Sequence, residues 1–423
     1  MPQKFEREAA RTTAREEAWC AARVAAPARS RPRGTPACGD GDGAVCRIDY
    51  PRAFAPHRGP TAPFSPPQGP AIAPDSTAIA WADPVRRSAF EHWLAAIAPR
   101  HGLQAESLRA ASSDASFRRY LRADAADGRS LIVMDAPPPQ EDVRPFVDVA
   151  RRLENIGLHA PRVLEADVER GFLLLTDLGS RLYLGALHDA VGAGDLKTAD
   201  ALMRDAITAL IRWQGSSDAA TLPPYDDTLL RRELALFPEW CVGREYGVAW
   251  SADQEAVWQA ACDMLVESAL AQPRVAVHRD FMPRNLMVTT PNPGILDFQD
   301  AVHGPISYDV ASLLRDAFIT WDEEQELDWA VRYWEAARKA ALPVPDDFGD
   351  FWRTVEWMGL QRHLKVLGIF CRLKHRDGKP AYSADLPRFF GYAHKVSARY
   401  NALRPLSRLL EPLMGVSRIE AFY

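Results

Sequence analysis

The sequence predicts an α+β protein of two lobes, a small β-rich N-terminal lobe and a larger, mainly helical C-terminal lobe. Three observations support this class. Short apolar runs typical of strands cluster between residues 115 and 176, and the pattern after residue 178 is mostly helical. A strand–loop–strand pattern with several polar side chains interrupts those helices at residues 274–298. The predicted units are a tail over 1–84, an N-lobe over 85–177 and a C-lobe over 178–423.

The predicted tail differs in composition from everything that follows it. Arg, Ala, Pro and Gly dominate, as in residues 25–34 (AAPARSRPRG) and 64–70 (FSPPQGP). Such a segment buries too little apolar surface to offset the entropy lost on ordering, so we predict that it is disordered. A functional tail, a linker, and upstream sequence in front of a true start near Val85 are the open alternatives.

The predicted N-lobe elements follow from apolar spacing. A first helix carries one apolar face, and two strands over 115–122 and 130–134 are joined by a turn at Asp127-Gly128. A helix over 146–156 and strands over 161–164 and 171–176 complete the lobe. The residues of the apolar helix face are Phe90, Trp93, Leu94 and Ile97.

Composition excludes several classes of protein. The net charge of −5 provides no basic footprint for a nucleic acid. No apolar run approaches the roughly 18 to 20 residues of a membrane-spanning helix, and the N-terminus lacks the apolar core of a secretory signal. The six cysteines are scattered without a C-x-x-C pair, which indicates reduced thiols. We therefore expect a cytoplasmic protein, monomeric, with a small-molecule partner and neither nucleic acid nor membrane.

The most informative segment is residues 277–288 (VHRDFMPRNLMV), followed by 295–298 (ILDF). Its strand–loop–strand pattern presents three functional side chains from one edge. Asp280 can accept or orient a hydroxyl proton, and Asn285 and Asp297 can hold Mg²⁺ on nucleotide phosphates. His278 is expected to bond nearby backbone rather than act as a base.

Two other interpretations of this segment remain. Its Asp and Asn side chains could merely cap the turns of a polar hairpin. A zinc site is a weaker interpretation, because no third His or Cys lies at ligand spacing. The offsets nevertheless match the protein-kinase signature, with His278-Arg279-Asp280, Asn285 five residues on, and Asp297-Phe298-Gln299 where D-F-G stands. The two lobes are therefore predicted to form a protein-kinase-like fold.

Over residues 86–423 the chain resembles the aminoglycoside phosphotransferase family, and within it the bacterial anomeric sugar kinases that act on N-acetylmuramate and N-acetylglucosamine. The resemblance implies ATP and Mg²⁺ bound between the lobes and phosphorylation of a sugar C1 hydroxyl in peptidoglycan recycling. The segments that carry it are 114–120 (DASFRRY), 133–138 (VMDAPP), 174–179 (LLTDLG), 232–240 (REL and LFPEW), 296–302 (LDFQDAV), 304–305 (GP), 308–316 (YDVASLLRD) and 361–365 (QRHLK).

The resemblance also implies roles for the nucleotide-binding segments. Adenine would reach backbone groups of the hinge at Thr176, Asp177 and Leu178. A loop of small residues would cover the phosphates through backbone N–H groups, with an ordinary polar turn as the alternative. That loop consists of Ser113, Asp114, Ala115 and Ser116. Asp309 would buttress the catalytic loop, with a helix N-cap as the alternative.

The chain departs from protein kinases at two places. The strand over 130–134 lacks the Lys that pairs with a helix Glu, and Phe146 and Asp148 stand where that Glu is expected. Arg118, Arg119 or Arg122 could supply the missing charge, although each is as readily a solvated strand-edge residue. Met282 replaces another Lys that protein kinases often place two residues after the catalytic Asp, which argues against a protein substrate.

Candidate sugar contacts lie elsewhere in the C-lobe. They are Glu233, Trp240, Arg284, Gln361 and Arg362, although a Trp at helical spacing is more often core. The basic run 372–379 could pair with a lactyl carboxylate, with a solvated helix end as the alternative. Two rival functions remain: a kinase of the same fold acting on an aminoglycoside, choline or homoserine, and an inactive nucleotide-binding module. Retention of Asp280, Asn285 and Asp297 argues against the second.

Overall fold

The structure is a computed structural model that describes residue 79 and residues 81–113, 117–216 and 218–415, with the side chains of 112 and 113 outside the described part. The predicted disorder of the tail therefore lies outside the described residues. The same holds for the predicted phosphate-covering residues Asp114, Ala115 and Ser116.

The N-lobe is a five-stranded antiparallel sheet in the order β1-β2-β3-β5-β4. Apolar side chains of β3 and β5 alternate between its two faces, as the two-residue period of a strand requires. Leu174 packs towards the helix over residues 84–101, and Leu175 packs towards the helix over residues 144–155. The strands are β1 (Leu103–Ser113), β2 (Arg119–Ala125), β3 (Ser130–Asp135), β4 (Val163–Asp167) and β5 (Phe172–Thr176).

Two helices cover the sheet. Helix α1 (Pro84–His101) begins at the N-cap Asp83 and ends at Gly102, whose left-handed backbone (φ 63°) suits glycine. Its predicted apolar face is confirmed, because Phe90, Trp93, Leu94 and Ile97 are all buried against the sheet. Helix α2 (Arg144–Asn155) packs on the opposite face. The lobe thus has an apolar layer on each side of the sheet.

The strand predictions were right in kind and partly wrong in position. The hairpin with its turn at Asp127-Gly128 is confirmed, since β2 pairs antiparallel with β3. The strand predicted at 115–122 begins only at Arg119, and β1 was not predicted at all. The segment 103–113 is rich in Ala and Ser, which are poor or indifferent strand formers. It forms an edge strand because the backbone of β2 pairs with it through hydrogen bonds.

The C-lobe consists mainly of helices, which confirms the predicted α+β class. They are α3 (Tyr183–Gly192), α4 (Leu196–Gln214), α5 (Asp227–Leu234), a π-helix (Phe237–Glu245), α6 (Ala252–Leu270), α7 (Tyr308–Leu314), α8 (Glu323–Lys339), α9 (Phe348–His375), α10 (Leu386–Arg399) and α11 (Arg404–Leu410). Short 3₁₀ turns cover 219–221, 283–285, 380–385, 401–403 and 411–414.

Two short pairs of antiparallel strands contain the catalytic segment within the helical lobe. Strand β6 (Arg274–Val277) pairs with β9 (Val302–Pro305), and β7 (Leu286–Met287) pairs with β8 (Gly294–Ile295). The strands predicted at 274–277 and 286–288 are thus confirmed. The hairpins bring residues 278–285 and 296–301 next to each other, which is the arrangement that the site requires.

A buried ion cluster anchors the helix that follows these hairpins. Arg315, at the end of α7, donates to Glu326 of α8 at 3.1 Å and to Glu356 of α9 at 3.0 Å. All three side chains are almost fully buried. Because a buried charge that loses its partner is strongly destabilising, the cluster holds α7 in one position relative to α8 and α9.

The described part of the chain contains no helix long and apolar enough to cross a membrane. Its cysteines, Cys241, Cys262 and Cys371, are free and buried. The predicted boundary between lobes at 177–178 follows the end of β5 at Thr176 and stays a prediction.

Candidate active site

The catalytic loop has a backbone conformation that a carboxylate stabilises. Arg279 adopts φ 75°, in the left-handed region that non-glycine residues rarely occupy. The Asp309 carboxylate, fully buried in the first turn of α7, accepts hydrogen bonds from the backbone N–H groups of His278 (2.7 Å) and Arg279 (3.0 Å). Burial raises the pKa of Asp309 to about 7, while the two N–H donors favour its ionised form. Asp309 therefore holds the turn that presents Asp280.

His278 connects the two loops of the site. Its Nε2 lies 3.0 Å from the carbonyl oxygen of Leu296, and its Nδ1 accepts from the backbone N–H of Asp280 at 3.3 Å. These contacts require the proton on Nε2. Burial lowers the pKa of His278 to about 4. Because both ring nitrogens are engaged and the ring is buried, His278 is placed to orient the loop rather than to transfer protons.

The three predicted catalytic residues lie together. Asn285 donates from Nδ2 to the backbone carbonyl of Asp280 at 3.0 Å and to Oδ2 of Asp297 at 3.4 Å. Asp297, with φ 60°, is fixed further by Gln299, whose Nε2 donates to its Oδ1 at 2.8 Å. No described residue donates a hydrogen bond to the Asp280 carboxylate, so this group remains available to a substrate hydroxyl.

The oxygen atoms of this group fit a magnesium ion. The contacts of Asn285 use its amide nitrogen, and its Oδ1 accepts no hydrogen bond within the described part of the chain. Mg²⁺ typically takes one or two protein oxygens and completes its shell with substrate phosphates and water. Within the described ranges no cluster of three or more His, Cys, Asp or Glu side chains is placed to hold a metal. This finding does not support the zinc interpretation of the motif.

Behind the catalytic loop, a buried carboxylate collects four donors. Glu233 of α5 accepts from Arg279, from Lys365 at 3.0 Å, from Gln361 at 3.3 Å and from the hydroxyl of Tyr225. Burial opposes its ionisation, but Lys365 and Arg279 outweigh that effect and lower the pKa of Glu233 to about 2. The side chain of Arg279, the residue before Asp280, is thus held inside the C-lobe by Glu233.

This clamp bears on two of the predicted sugar contacts. Glu233 is 5% exposed and Gln361 is fully buried, so neither presents its polar atoms to the cleft. Trp240 lies in the π-helix, partly buried against the C-lobe core. Arg284 is half-buried on the catalytic loop itself. Direct sugar contact by Glu233, Gln361 and Trp240 stays a prediction, and the geometry favours structural roles for the first two.

The hinge is held by a second clamp. The Asp177 carboxylate accepts from Arg122, from Ser130 Oγ at 2.6 Å and from the backbone N–H of Gly179 at 2.9 Å. Because that carboxylate is committed to β2 and β3, it orders the hinge instead of facing a ligand. Thr176 Oγ1 accepts from the backbone N–H of Arg162 at 2.9 Å. Nucleotide binding by Thr176, Asp177 and Leu178 stays a prediction that concerns their backbone groups.

All three arginines that could replace the missing Lys have carboxylate partners. Arg119 pairs with Asp135, Arg122 with Asp177, and Arg118 lies 3.4 Å from Glu141. Arg118 follows the predicted phosphate-covering loop, of which Ser113 at the end of β1 is described in backbone only. Glu141 precedes α2 and thus lies outside the helix in which the sequence predicts a Glu. That one of these arginines replaces the kinase Lys stays a prediction.

Aromatic rings surround the basic side chain of Arg284 on the catalytic loop. The Arg284 guanidinium lies 5.1 Å from the ring centre of Phe318 and 5.9 Å from that of Tyr382. Neither ring was identified from the sequence, because both lie far from Arg284 along the chain. Within the basic run at 372–379, Lys374 and His375 pair with Glu245, and Arg376 pairs with Asp377. Most charge of that run is therefore engaged within the protein.

Comparisons with known proteins show which family the chain resembles. The model of a family described as "Phosphotransferase enzyme family" matches residues 107–348. The N-acetylmuramate/N-acetylglucosamine kinase of Pseudomonas putida is 52% identical over 314 residues, covering 74% of this chain and 90% of the relative. The kinase of the same name from Neisseria meningitidis is 47% identical over 335 residues, covering 79% and 98%.

One solved structure shares the fold at low identity. It is the complex of gentamicin with APH(2")-IIa, which is 17% identical, covers 73% of this chain and 97% of that one, and has a TM-score of 0.50. At this identity the likeness concerns the fold alone. The neighbour nevertheless agrees with the predicted two-lobed, protein-kinase-like architecture.

Proposed function

The chain belongs to the phosphotransferase enzyme family, and on that premise we propose that it is an ATP-dependent kinase of the C1 hydroxyl of N-acetylmuramate and N-acetylglucosamine. The observation that carries the proposal is the identity of about half of the aligned residues to kinases of that name, together with Asp280, Asn285 and Asp297 in one group. The reaction would be ATP + amino sugar → ADP + sugar 1-phosphate, which suits peptidoglycan recycling in the cytoplasm.

In the proposed mechanism Asp280 receives the acceptor hydroxyl. Its carboxylate is held by a loop that Asp309 and His278 order, so little reorganisation is needed when the sugar binds. An anomeric hydroxyl is more acidic than other sugar hydroxyls, so Asp280 needs only to orient it and to take its proton late. The proton passes to Asp280 as the C1 oxygen bonds to the γ-phosphorus and ADP departs.

Asn285 and Asp297 would hold Mg²⁺ against the nucleotide phosphates. The ion supplies positive charge that offsets the charge of the β- and γ-phosphates. The transition state of phosphoryl transfer is loose, so positioning and electrostatics provide most of the rate enhancement. Support for the nucleotide comes from the ordered hinge at Asp177 and from the Arg118–Glu141 pair beside the predicted phosphate loop.

The decisive test measures ADP release with N-acetylmuramate, N-acetylglucosamine, kanamycin and choline as acceptors. We expect turnover of the two amino sugars, loss of their reducing end as C1 becomes phosphorylated, and no activity after Mg²⁺ is chelated. Asp280→Asn should reduce kcat by about 10²–10⁴-fold. The exposed Asp253→Asn serves as the matched control and should retain full activity.

Other results would replace the proposal. Turnover of kanamycin or choline without the sugars would indicate a kinase with a different acceptor. No turnover of any acceptor, with retained ATP binding, would indicate an inactive nucleotide-binding module. Wild-type rates in Asp280→Asn would remove the role assigned to that carboxylate.

A further inference from the structure

The catalytic loop carries an arginine that has no ionic partner among the described residues. Arg284 lies in the 3₁₀ turn Pro283–Asn285, four residues after Asp280 and directly before the proposed metal ligand Asn285. Its side chain is half-buried, yet among the described residues it forms no ion pair and no hydrogen bond. A guanidinium has five N–H donors, and a partly buried one is normally paired. Arg284 therefore has donors to offer a ligand.

Two aromatic rings hold this guanidinium in place. Phe318, between α7 and α8, and Tyr382, in the turn after α9, lie 5.1 and 5.9 Å from its central carbon. A cation–π contact acts on the charge and does not consume the N–H donors. The Asp385 carboxylate interacts with this charge but forms no ion pair with it. Arg284 is thus positioned by its surroundings without being neutralised by them.

A second cation lies behind the same turn. Arg362 of α9 is 3% exposed, and its Nη2 lies 3.6 Å from Sδ of Met282, a weak acceptor, while its Nη1 has no partner in the described part of the chain. Two buried carboxylates, Asp316 and Asp309, interact with its charge from beyond ion-pair distance. The turn that follows Asp280 therefore carries the guanidinium of Arg284 and contacts that of Arg362 at Met282.

We propose that Arg284 determines acceptor specificity by binding a carboxylate on the sugar, with Arg362 adding positive potential from behind Met282. The inference rests on the proposed function, whose two substrates differ in this respect. N-acetylmuramate carries a lactyl carboxylate and N-acetylglucosamine does not. A planar guanidinium can bind a carboxylate through two parallel N–H···O hydrogen bonds. The same charge disfavours cationic acceptors such as aminoglycosides and choline.

The test compares kcat/KM for the two sugars in one set of variants. Arg284→Met should lower kcat/KM for N-acetylmuramate by about 10- to 100-fold, the effect of losing a hydrogen bond to a charged group. The value for N-acetylglucosamine should change by less than about 3-fold, because that sugar has no carboxylate to lose. Arg284→Lys should fall between wild type and Arg284→Met. Arg408→Met, an exposed arginine of α11, is the matched control and should leave both values unchanged.

Two further arms strengthen the test. Asp385→Asn removes the carboxylate that competes for Arg284, so it should raise the preference for N-acetylmuramate. In the wild type, the methyl ester of N-acetylmuramate should be a poorer substrate than the acid, and this arm requires no variant to fold. In Arg284→Met the acid and the ester should react at similar rates.

The outcomes separate this inference from the proposed function. An equal loss for both sugars in Arg284→Met would overturn it, and a raised KM for ATP would assign the guanidinium to the γ-phosphate instead. An unchanged ratio of the two sugars, or an ester as good as the acid in the wild type, would also overturn it. A wild type that phosphorylates neither sugar would overturn the proposed function itself, and this inference with it.

Discussion

Asp309 and His278 are joined by a 2.7 Å hydrogen bond from the backbone N–H of His278 to the Asp309 carboxylate, across 31 residues of sequence. The next N–H, that of Arg279, donates to the other carboxylate oxygen. One buried side chain of α7 therefore accepts from both residues that precede Asp280. The left-handed backbone of Arg279 depends on this carboxylate, since no helix or strand stabilises it.

Replacing Asp309 by Asn should destabilise the protein and slow catalysis. The amide keeps one oxygen but turns an NH₂ group towards a backbone N–H, which leaves a buried donor unsatisfied. We expect a loss of about 1–3 kcal/mol in the free energy of unfolding, measured by urea denaturation, and a lower kcat. The control is Asp195→Asn, an exposed N-cap of α4 that accepts from Thr198, because Asn caps helices as well as Asp does. Equal effects at the two positions would contradict the role of Asp309.

The buried His278 should make stability depend on pH. Its pKa is lowered to about 4 in the folded protein, against about 6.5 when unfolded, so between these values only the unfolded state binds the proton. The free energy of unfolding should therefore fall as the pH falls from 6.5 to 4, by at most ~1.4 kcal/mol per pH unit. His278→Gln removes this contribution, so the stability difference between wild type and variant should shrink as the pH is lowered.

The titration of Asp309 changes the free energy of unfolding in the opposite direction over the same pH range. Its pKa is raised to about 7, so its contribution to stability is lost as the pH rises from about 4 towards 7. Because Asp309 is present in both proteins, this contribution cancels in the difference. Urea denaturation of both proteins at intervals from pH 4 to pH 7 provides the measurement. A difference that stays constant over that range would show that His278 has an ordinary pKa.

The contributions of Glu233 and its buried partner Lys365 to stability should be energetically coupled. Glu233→Gln leaves the charges of Arg279 and Lys365 without a carboxylate, and breaking such a buried pair costs about 3–5 kcal/mol. In the double variant Glu233→Gln, Lys365→Met the loss should be smaller than the sum of the single losses, with a coupling of about 1–3 kcal/mol. Denaturation of the four proteins measures it. The exposed pair Asp328 and Arg332, treated in the same way, should show no measurable coupling. Additive losses at Glu233 and Lys365 would mean that the ion pair is unimportant.

Two glycines of α9 should respond oppositely to alanine. A Cβ at Gly368 would lie 2.4 Å from the backbone carbonyl carbon of Leu236, so Gly368→Ala forces α9 away from the segment after α5 and should cost at least ~2 kcal/mol. At Gly359 the new Cβ would meet Ala311 at an ordinary 3.5 Å. Gly359→Ala should therefore stabilise the helix by up to ~1 kcal/mol. Thermal denaturation compares the two, and a stable Gly368→Ala would show that the helix can shift.

Local patterns predicted much of this fold because they depend on neighbours in sequence. The apolar face of α1, the hairpin at Asp127-Gly128 and the grouping of Asp280 with Asn285 all involve short separations. Strand β1 was missed because its own residues hardly favour a strand and its formation depends on β2. Glu141 was missed because its pairing with Arg118 spans the whole β2–β3 hairpin.

By itself the sequence determined the kinase-like class, the identity of the proposed proton acceptor and the two proposed metal ligands. Asp280, Asn285 and Asp297 lie close together in the sequence, so their relative positions depend mainly on local structure. Only the tertiary structure decided which distant groups surround them: Asp309 beneath the loop, Glu233 behind it, and Phe318 and Tyr382 around Arg284. Those contacts join helices far apart in the chain, and packing of the C-lobe core selects them. The same packing buries Glu233 and, within the described part of the chain, leaves Arg284 without an ion-pair partner.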